Sequence, residues 1–298
     1  MKKMKIQSKI FSILALSSLL FTACEEGNKD IDKIFDETTR GAVLRTISGG
    51  NAVFNRFDTS TVWSVELEEQ DQENGGLLEK VEVFVNFDDN TPDNGETTTT
   101  EALLQTLPAS SFTTGPFGLP RVSTSATFQE ALDALGLEEG DFDGGDVIEF
   151  RMELTLTDGR RFSNDNDSAT LNGSFYSSPF FYRGNIKCLP PDPVGGDYVL
   201  KLMDSYGDGW DGAKITVNID GTSTDYTFTS GSEASFTVNV PCGTSTLVMT
   251  YVPGNFEGEH TYTITAPTDE LAASDGPSPS PGEIALNICK DGPCTMAK

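Results

Sequence analysis

Apolar and polar residues alternate with a period of two over most of this chain, which is the signature of strands with one buried face. Within Lys80-Val81-Glu82-Val83-Phe84-Val85-Asn86-Phe87 the odd positions are apolar, while Glu82 and Asn86 are polar. Runs of this kind predict strands over Ala42 to Ser48, Val62 to Glu68, Lys80 to Phe87, Val147 to Thr157 and Phe180 to Cys188. One segment departs from the pattern: Phe128, Ala131, Leu132 and Leu135 recur at helical spacing and predict a helix over Thr127 to Leu135. The passage Cys188-Leu-Pro-Pro-Asp-Pro-Val-Gly-Gly196 then interrupts every regular element with three prolines and a glycine pair, and a domain boundary belongs there. Beyond it, seven short strands are predicted, from Tyr198 to Met203, Ala213 to Ile219, Asp225 to Thr229, Ala234 to Val240, Ser245 to Tyr251, His260 to Ala266 and Glu283 to Ile288. The expected fold class is therefore all-β, as two tandem β-sandwiches over residues 41–188 and 197–298, joined by a linker at 189–196. The first resembles an immunoglobulin-like sandwich with one helical crossover.

Ahead of the first strand the chain reads differently. Lysines at positions 2, 3, 5 and 9 precede an apolar run from Ile10 to Phe21 and the small-residue stretch Thr22-Ala23. That order is an export signal, too short for a spanning helix of roughly 20 residues. Phe21-Thr22-Ala23-Cys24 resembles the bacterial lipobox, departing from it at Phe21, where leucine is commonest. The resemblance implies cleavage after residue 23, lipidation of Cys24 and a membrane-anchored tether over residues 24–40. More than one acyl chain is needed for stable anchoring, and lipoprotein modification supplies that. Glu25-Glu26 directly after the cysteine is similar to the surface-export signal of Bacteroidota lipoproteins, which implies an outer-membrane position facing outward.

Charge narrows the partners. Residues 1–23 carry four lysines and no acid, so the remainder holds 16 basic against 46 acidic residues, a formal charge of −30. Such a chain repels nucleic acid and favours cations or basic partners. The acids are dispersed among threonine, serine, glycine and β-branched residues, which suits a solvated β-protein better than a disordered tail.

The densest chemistry lies in Leu202-Met-Asp-Ser-Tyr-Gly-Asp-Gly-Trp-Asp-Gly-Ala-Lys-Ile215. If successive strands reverse direction, the loops at 204–212, 229–234 and 253–259 share one pole of the second sandwich. Asp204, Asp208 and Asp211 then meet Glu257 or Glu259. Calcium takes six to eight oxygen ligands at about 2.3–2.6 Å, and it relieves the repulsion of acids held this close. The loop is not an EF-hand, because Tyr206 stands at the third position and no helices flank it. The competing reading is a tight turn at Asp208-Gly209 with Trp210 capping the core. D-S-Y-G-D-G-W-D-G-A, the turn at Gly231, the Tyr251 strand and Glu259 with Tyr262 together resemble a β-sandwich module of secreted and surface Bacteroidota proteins.

Four further cysteines, Cys188, Cys242, Cys289 and Cys294, predict two disulfides in an exported protein, with three connectivities open. Strand reversal puts Cys188 and Cys242 at the opposite pole from the acids, and Cys289 and Cys294 bracket only four residues. The expected bridges are Cys188–Cys242 and Cys289–Cys294.

No G-x-S-x-G, H-E-x-x-H, Walker or dinucleotide-binding pattern is present, and the single histidine, His260, reads as a strand flank. The expectation is a protein without catalytic activity. Asn164-Asp165-Asn166-Asp167 reads as a turn, Asp167-Ser168-Ala169 matches a short Bacteroidota O-glycosylation sequon, and Tyr176, Phe180, Phe181 and Tyr182 form an aromatic cluster suited to sealing the first domain or to stacking on sugars. Taken together, the tether and sandwiches resemble accessory surface lipoproteins of TonB-dependent outer-membrane β-barrel transporters and their lid lipoproteins. The Phe180-Phe181-Tyr182 to Cys188 passage adds to that resemblance. A calcium-dependent glycan-binding or adhesion lipoprotein is the alternative.

Overall fold

A computed structural model describes residues 38–91, 95–173 and 175–294. The expected signal segment 1–23, the expected lipidation site Cys24 and the expected tether up to residue 37 lie outside the described residues. Residues 1–41 form one unit of the chain and Ala42–Lys298 the other. No helix among the described residues is long and apolar enough to cross a membrane.

The regular structure of the second unit is almost entirely strand, as the alternation predicts. Two apolar cores lie within it, one per sandwich. In the first sandwich, one sheet has the order β1 (Val43–Gly49), β3 (Val62–Gln70), β7 (Pro120–Thr127) and β6 (Thr113–Thr114). The facing sheet runs β2 (Ala52–Asn55), β10 (Phe181–Lys187), β8 (Val147–Leu156), β4 (Leu78–Asp88) and β5 (Ala102–Pro108), with β9 (Arg161–Phe162) beside β8. Neighbours are antiparallel except β2 and β10, which pair in parallel. Alternation fixes the buried face: Trp63, Val65 and Leu67 of β3 point inward, and the Trp63 ring stacks on Phe150 of β8 at 4.1 Å. Burial of such rings, at roughly 25 cal/mol per Å² removed from water, supplies most of the driving force.

The predicted helix is α1 (Phe128–Leu135). Thr127 accepts the Glu130 N–H while the Glu130 carboxylate accepts the Thr127 N–H, a capping box that satisfies donors at the helix start. The helix buries Phe128, Ala131 and Leu132, and Phe128 stacks on Phe54 at 4.7 Å. Phe180 and Tyr182 are core residues of this sandwich, and the Tyr182 hydroxyl meets that of Thr46 at 2.7 Å. Sealing, rather than sugar stacking, is what these two rings do.

The linker follows β10, and the second sandwich begins at β11 (Gly196–Asp204). Its first sheet has the order β14 (Glu233–Val240), β11, β16 (His260–Thr265) and β17 (Leu271–Asp275). The second sheet runs β13 (Thr222–Tyr226), β12 (Lys214–Ile219), β15 (Leu247–Val252) and β18 (Gly282–Glu283). All pairs in both sheets are antiparallel.

The expected disulfide pairing is corrected. Cys188 bonds Cys289 and Cys242 bonds Cys294, with Cα separations of 4.9 and 5.6 Å. The reason is strand parity. Sequence patterning missed β17, whose upward run lets the chain descend again through β18, so Cys289 and Cys294 both arrive at the pole already holding Cys188 and Cys242. The first bridge also ties the end of the first sandwich to the tail of the second.

Candidate cation site at the acidic pole

Strand reversal does bring the expected loops together. The Asp204 N–H donates to the Ser232 carbonyl at 2.8 Å, Ser205 to Glu259 at 3.0 Å, Gly231 to Gly207 at 3.2 Å and Asn255 to Asp211 at 3.1 Å. These bonds lace 204–213, 227–232 and 253–259 into one pole above the core. Gly209 permits the closest approach: at φ +107° it lies against Thr229, where a Cβ would come within 2.6 Å of the carbonyl carbon.

Asp204 organises the loop. It ends β11 with only 2% of its surface exposed, and its carboxylate accepts the N–H groups of Tyr206, Gly207, Asp208 and Gly209 at 2.8–3.0 Å. Burial pushes this carboxyl up, but the four amides outweigh it and hold it below its ordinary value. The turn they shape delivers Trp210 into the core, fully buried, with its indole N–H on the Met203 carbonyl at 3.0 Å and its ring edge-on to Tyr251 at 5.7 Å. Trp210 thus caps the sandwich, and the same turn aims Asp208 outward.

Of the five acids expected to meet, three do. Carboxylate oxygens of Asp204, Asp208 and Glu259 lie within 4.8 Å of one another. Two oxygens bound to one calcium ion at about 2.4 Å sit no farther apart than this, so the trio fits a single ion. Desolvation pushes the Glu259 carboxyl up, and the charges of Asp204, Asp208 and Asp211 add to the shift. A divalent cation reverses that repulsion. Asp211 stands beside the trio rather than in it, with a buried Oδ2 that has no hydrogen-bond partner.

Glu257 is a correction. The short 3-10 turn Glu257–Glu259 rotates its carboxylate away from the trio, where it accepts the Tyr251 hydroxyl and the Gly254 N–H, both at 2.6 Å, and lies 3.5 Å from His260 Nδ1. Burial first, then the neighbouring Glu257 carboxylate, drives the Tyr251 phenol well above its ordinary range. His260 opens β16 and is fully buried, directly opposite Asp204 in register, with Nε2 lacking a partner.

Elsewhere, Asn164 to Asp167 forms the expected turn, closed by Asn166 onto Ser163 and Arg161. Two residues that patterning passed over now stand out at the acidic pole: Tyr206 and Phe256 are 76% and 68% exposed. The sequence signal for them was their place inside glycine-rich loops rather than strands.

No family model matches this chain, and no curated protein matches it. Among solved structures it is similar to a bacterial adhesin from Mobiluncus mulieris containing intramolecular disulfide, isopeptide and ester bond cross-links, at 11% identity over 84% of this chain and 93% of that one, with a TM-score of 0.20. At that TM-score the likeness carries no inference about this chain.

Proposed function

We propose that this chain is a non-catalytic lipoprotein of the outer membrane, facing outward, that holds a calcium ion at the pole of its second sandwich and uses that pole for adhesion. The observation that carries the reading is the convergence of Asp204, Asp208 and Glu259 within 4.8 Å, with no lysine or arginine paired to them among the described residues. Asp204, Asp208 and Glu259 would hold the ion, and Asp211, whose charge acts on Glu259, has an Oδ2 without a partner. The ion would hold two loops at one spacing and leave coordination positions facing outward.

The tether does the rest. With acyl chains on Cys24, the sandwiches stand on a polar leader, and the acidic pole belongs to the second of the two. The accessory role beside a TonB-dependent transporter, which the resemblance implies, is the second reading; the carboxylate trio favours adhesion through a cation. Mass spectrometry of the mature N-terminus is expected to find acylated Cys24, in protein that fractionates with outer membrane and is labelled on intact cells by a membrane-impermeant biotin reagent. A bare thiol, or protein released into the medium, contradicts the anchoring.

A further inference from the structure

The acidic pole also carries the two most exposed large hydrophobic side chains of the second sandwich among the described residues, and both are aromatic. Tyr206 is 76% exposed and Phe256 68%. Two exposed rings on loops that meet at one pole offer apolar surface to a ligand there. Their placement is not loose. Tyr206 follows Ser205, whose N–H is bonded to the Glu259 carbonyl, and Phe256 accepts the Glu259 N–H through its own carbonyl at 3.0 Å. The backbone on both sides is therefore tied to Glu259, a member of the carboxylate trio.

Phe256 is held at φ +58°, a left-handed conformation that bulky residues rarely adopt and that glycine would occupy freely. The ring contributes nothing to the core it stands above. Below it, His260 is wholly buried with Nε2 unpartnered, in register with Asp204, and Asp211 Oδ2 is likewise orphaned. The pole thus combines exposed aromatic side chains with carboxylate acceptors. A pyranose ring has matching chemistry: an apolar C–H face that an aromatic ring shields from water, and vicinal hydroxyls that replace water on a cation or donate to carboxylates.

We infer that Tyr206 and Phe256 form a stacking platform on which a neutral saccharide binds, with its hydroxyls completing the coordination of the cation held by Asp204, Asp208 and Glu259. The inference rests on the cation-site reading above. Exposed aromatic side chains suit polysaccharides with accessible ring faces, and the negative surroundings disfavour uronic-acid polymers.

The test separates the two readings. The mature chain and its Tyr206→Ala and Phe256→Gly variants are first titrated with calcium by calorimetry. They are then run in affinity gels containing laminarin, xylan, galactomannan, dextran or starch, each with calcium and with EDTA. At least one neutral polysaccharide is expected to retard the wild type in calcium only. Each variant is expected to bind that polysaccharide on the order of tenfold more weakly while keeping its calcium affinity within about twofold. Phe256→Gly, relieved of its left-handed strain, should melt no lower than the wild type. Calcium binding with no retardation in any gel, or undiminished retardation in both variants, overturns the saccharide inference and leaves the cation site standing. Absence of calcium binding by the wild type overturns both.

Discussion

Replacing Asp204 by alanine is expected to destabilise the second sandwich by about 3–5 kcal/mol and to abolish cation binding. Four backbone amides lose their shared acceptor at once, and each charge-assisted bond is worth roughly 1.5–3 kcal/mol before the losses overlap. With the turn unshaped, Trp210 loses the frame that seats it, so the loss reaches the core. Asp204→Asn keeps one acceptor oxygen and should cost about 1–2 kcal/mol. The pH dependence follows from the depressed carboxyl. Its stabilisation is present above the unfolded value near 3.8 and is lost as pH falls through the lower folded value, so the asparagine variant should show a flatter acid limb below about pH 4. Denaturant unfolding read on fluorescence reports both cores, because Trp63 sits in the first and Trp210 in the second. An alanine variant within about 0.5 kcal/mol of wild type contradicts the role assigned to Asp204.

A second large effect belongs to the first sandwich. Glu69 is the inward-facing residue that follows Trp63, Val65 and Leu67 on β3, fully buried, with neither oxygen bonded. Burial, with the nearby Asp71 charge adding, pushes its carboxyl up to about 8. Asp71 is fixed there by the N–H groups of Glu73, Gly75 and Leu77. A raised folded value makes the contribution complete below the unfolded value of 4.5 and lost as pH rises through about 8. At about 1.4 kcal/mol per unit, the wild type should lose about 3 kcal/mol by pH 7, with a ceiling of about 5 kcal/mol in alkali. Glu69→Leu removes that dependence and should be the more stable protein at pH 9, as read from urea unfolding on the Trp63 signal. Parallel pH profiles for the two proteins would show that Glu69 finds a partner in solution.

How much of this was legible in the sequence depends on side-chain size. The strand over Lys80 to Phe87 and the capped helix at Thr127 announced themselves, because large apolar residues marked their buried faces. β7 did not: its inward positions are Val122, Thr124 and Ala126, two of them too small or polar to stand out from Ser123 and Ser125. β2 has only four residues, and β17, Leu271–Asp275, buries Ala272 alone. That last omission had a consequence out of proportion to its length: with its reversal counted, Cys289 and Cys294 reach the pole of Cys188 and Cys242 and bond them, rather than each other across four residues.

The pole itself was legible because hairpin reversal is insensitive to small errors in strand ends. Glu257 was not, because residues two apart share a face in a strand, whereas a 3-10 turn sends them in different directions. Glu69 falls just beyond the strand predicted over Val62 to Glu68, whereas the observed strand continues to Gln70. Only the three-dimensional sheet shows it pointing inward.

The central claim is that three carboxylates from two loops act together on one cation. Calorimetric titration of the mature chain with calcium tests it most directly, with Asp208→Asn and Glu259→Gln as controls. One site per chain is expected, raising the Trp210 unfolding transition by about 2.7 kcal/mol at a calcium concentration a hundredfold above its dissociation constant, and absent from both variants. No binding heat, together with Trp210 transitions that coincide in calcium and in EDTA, would contradict it.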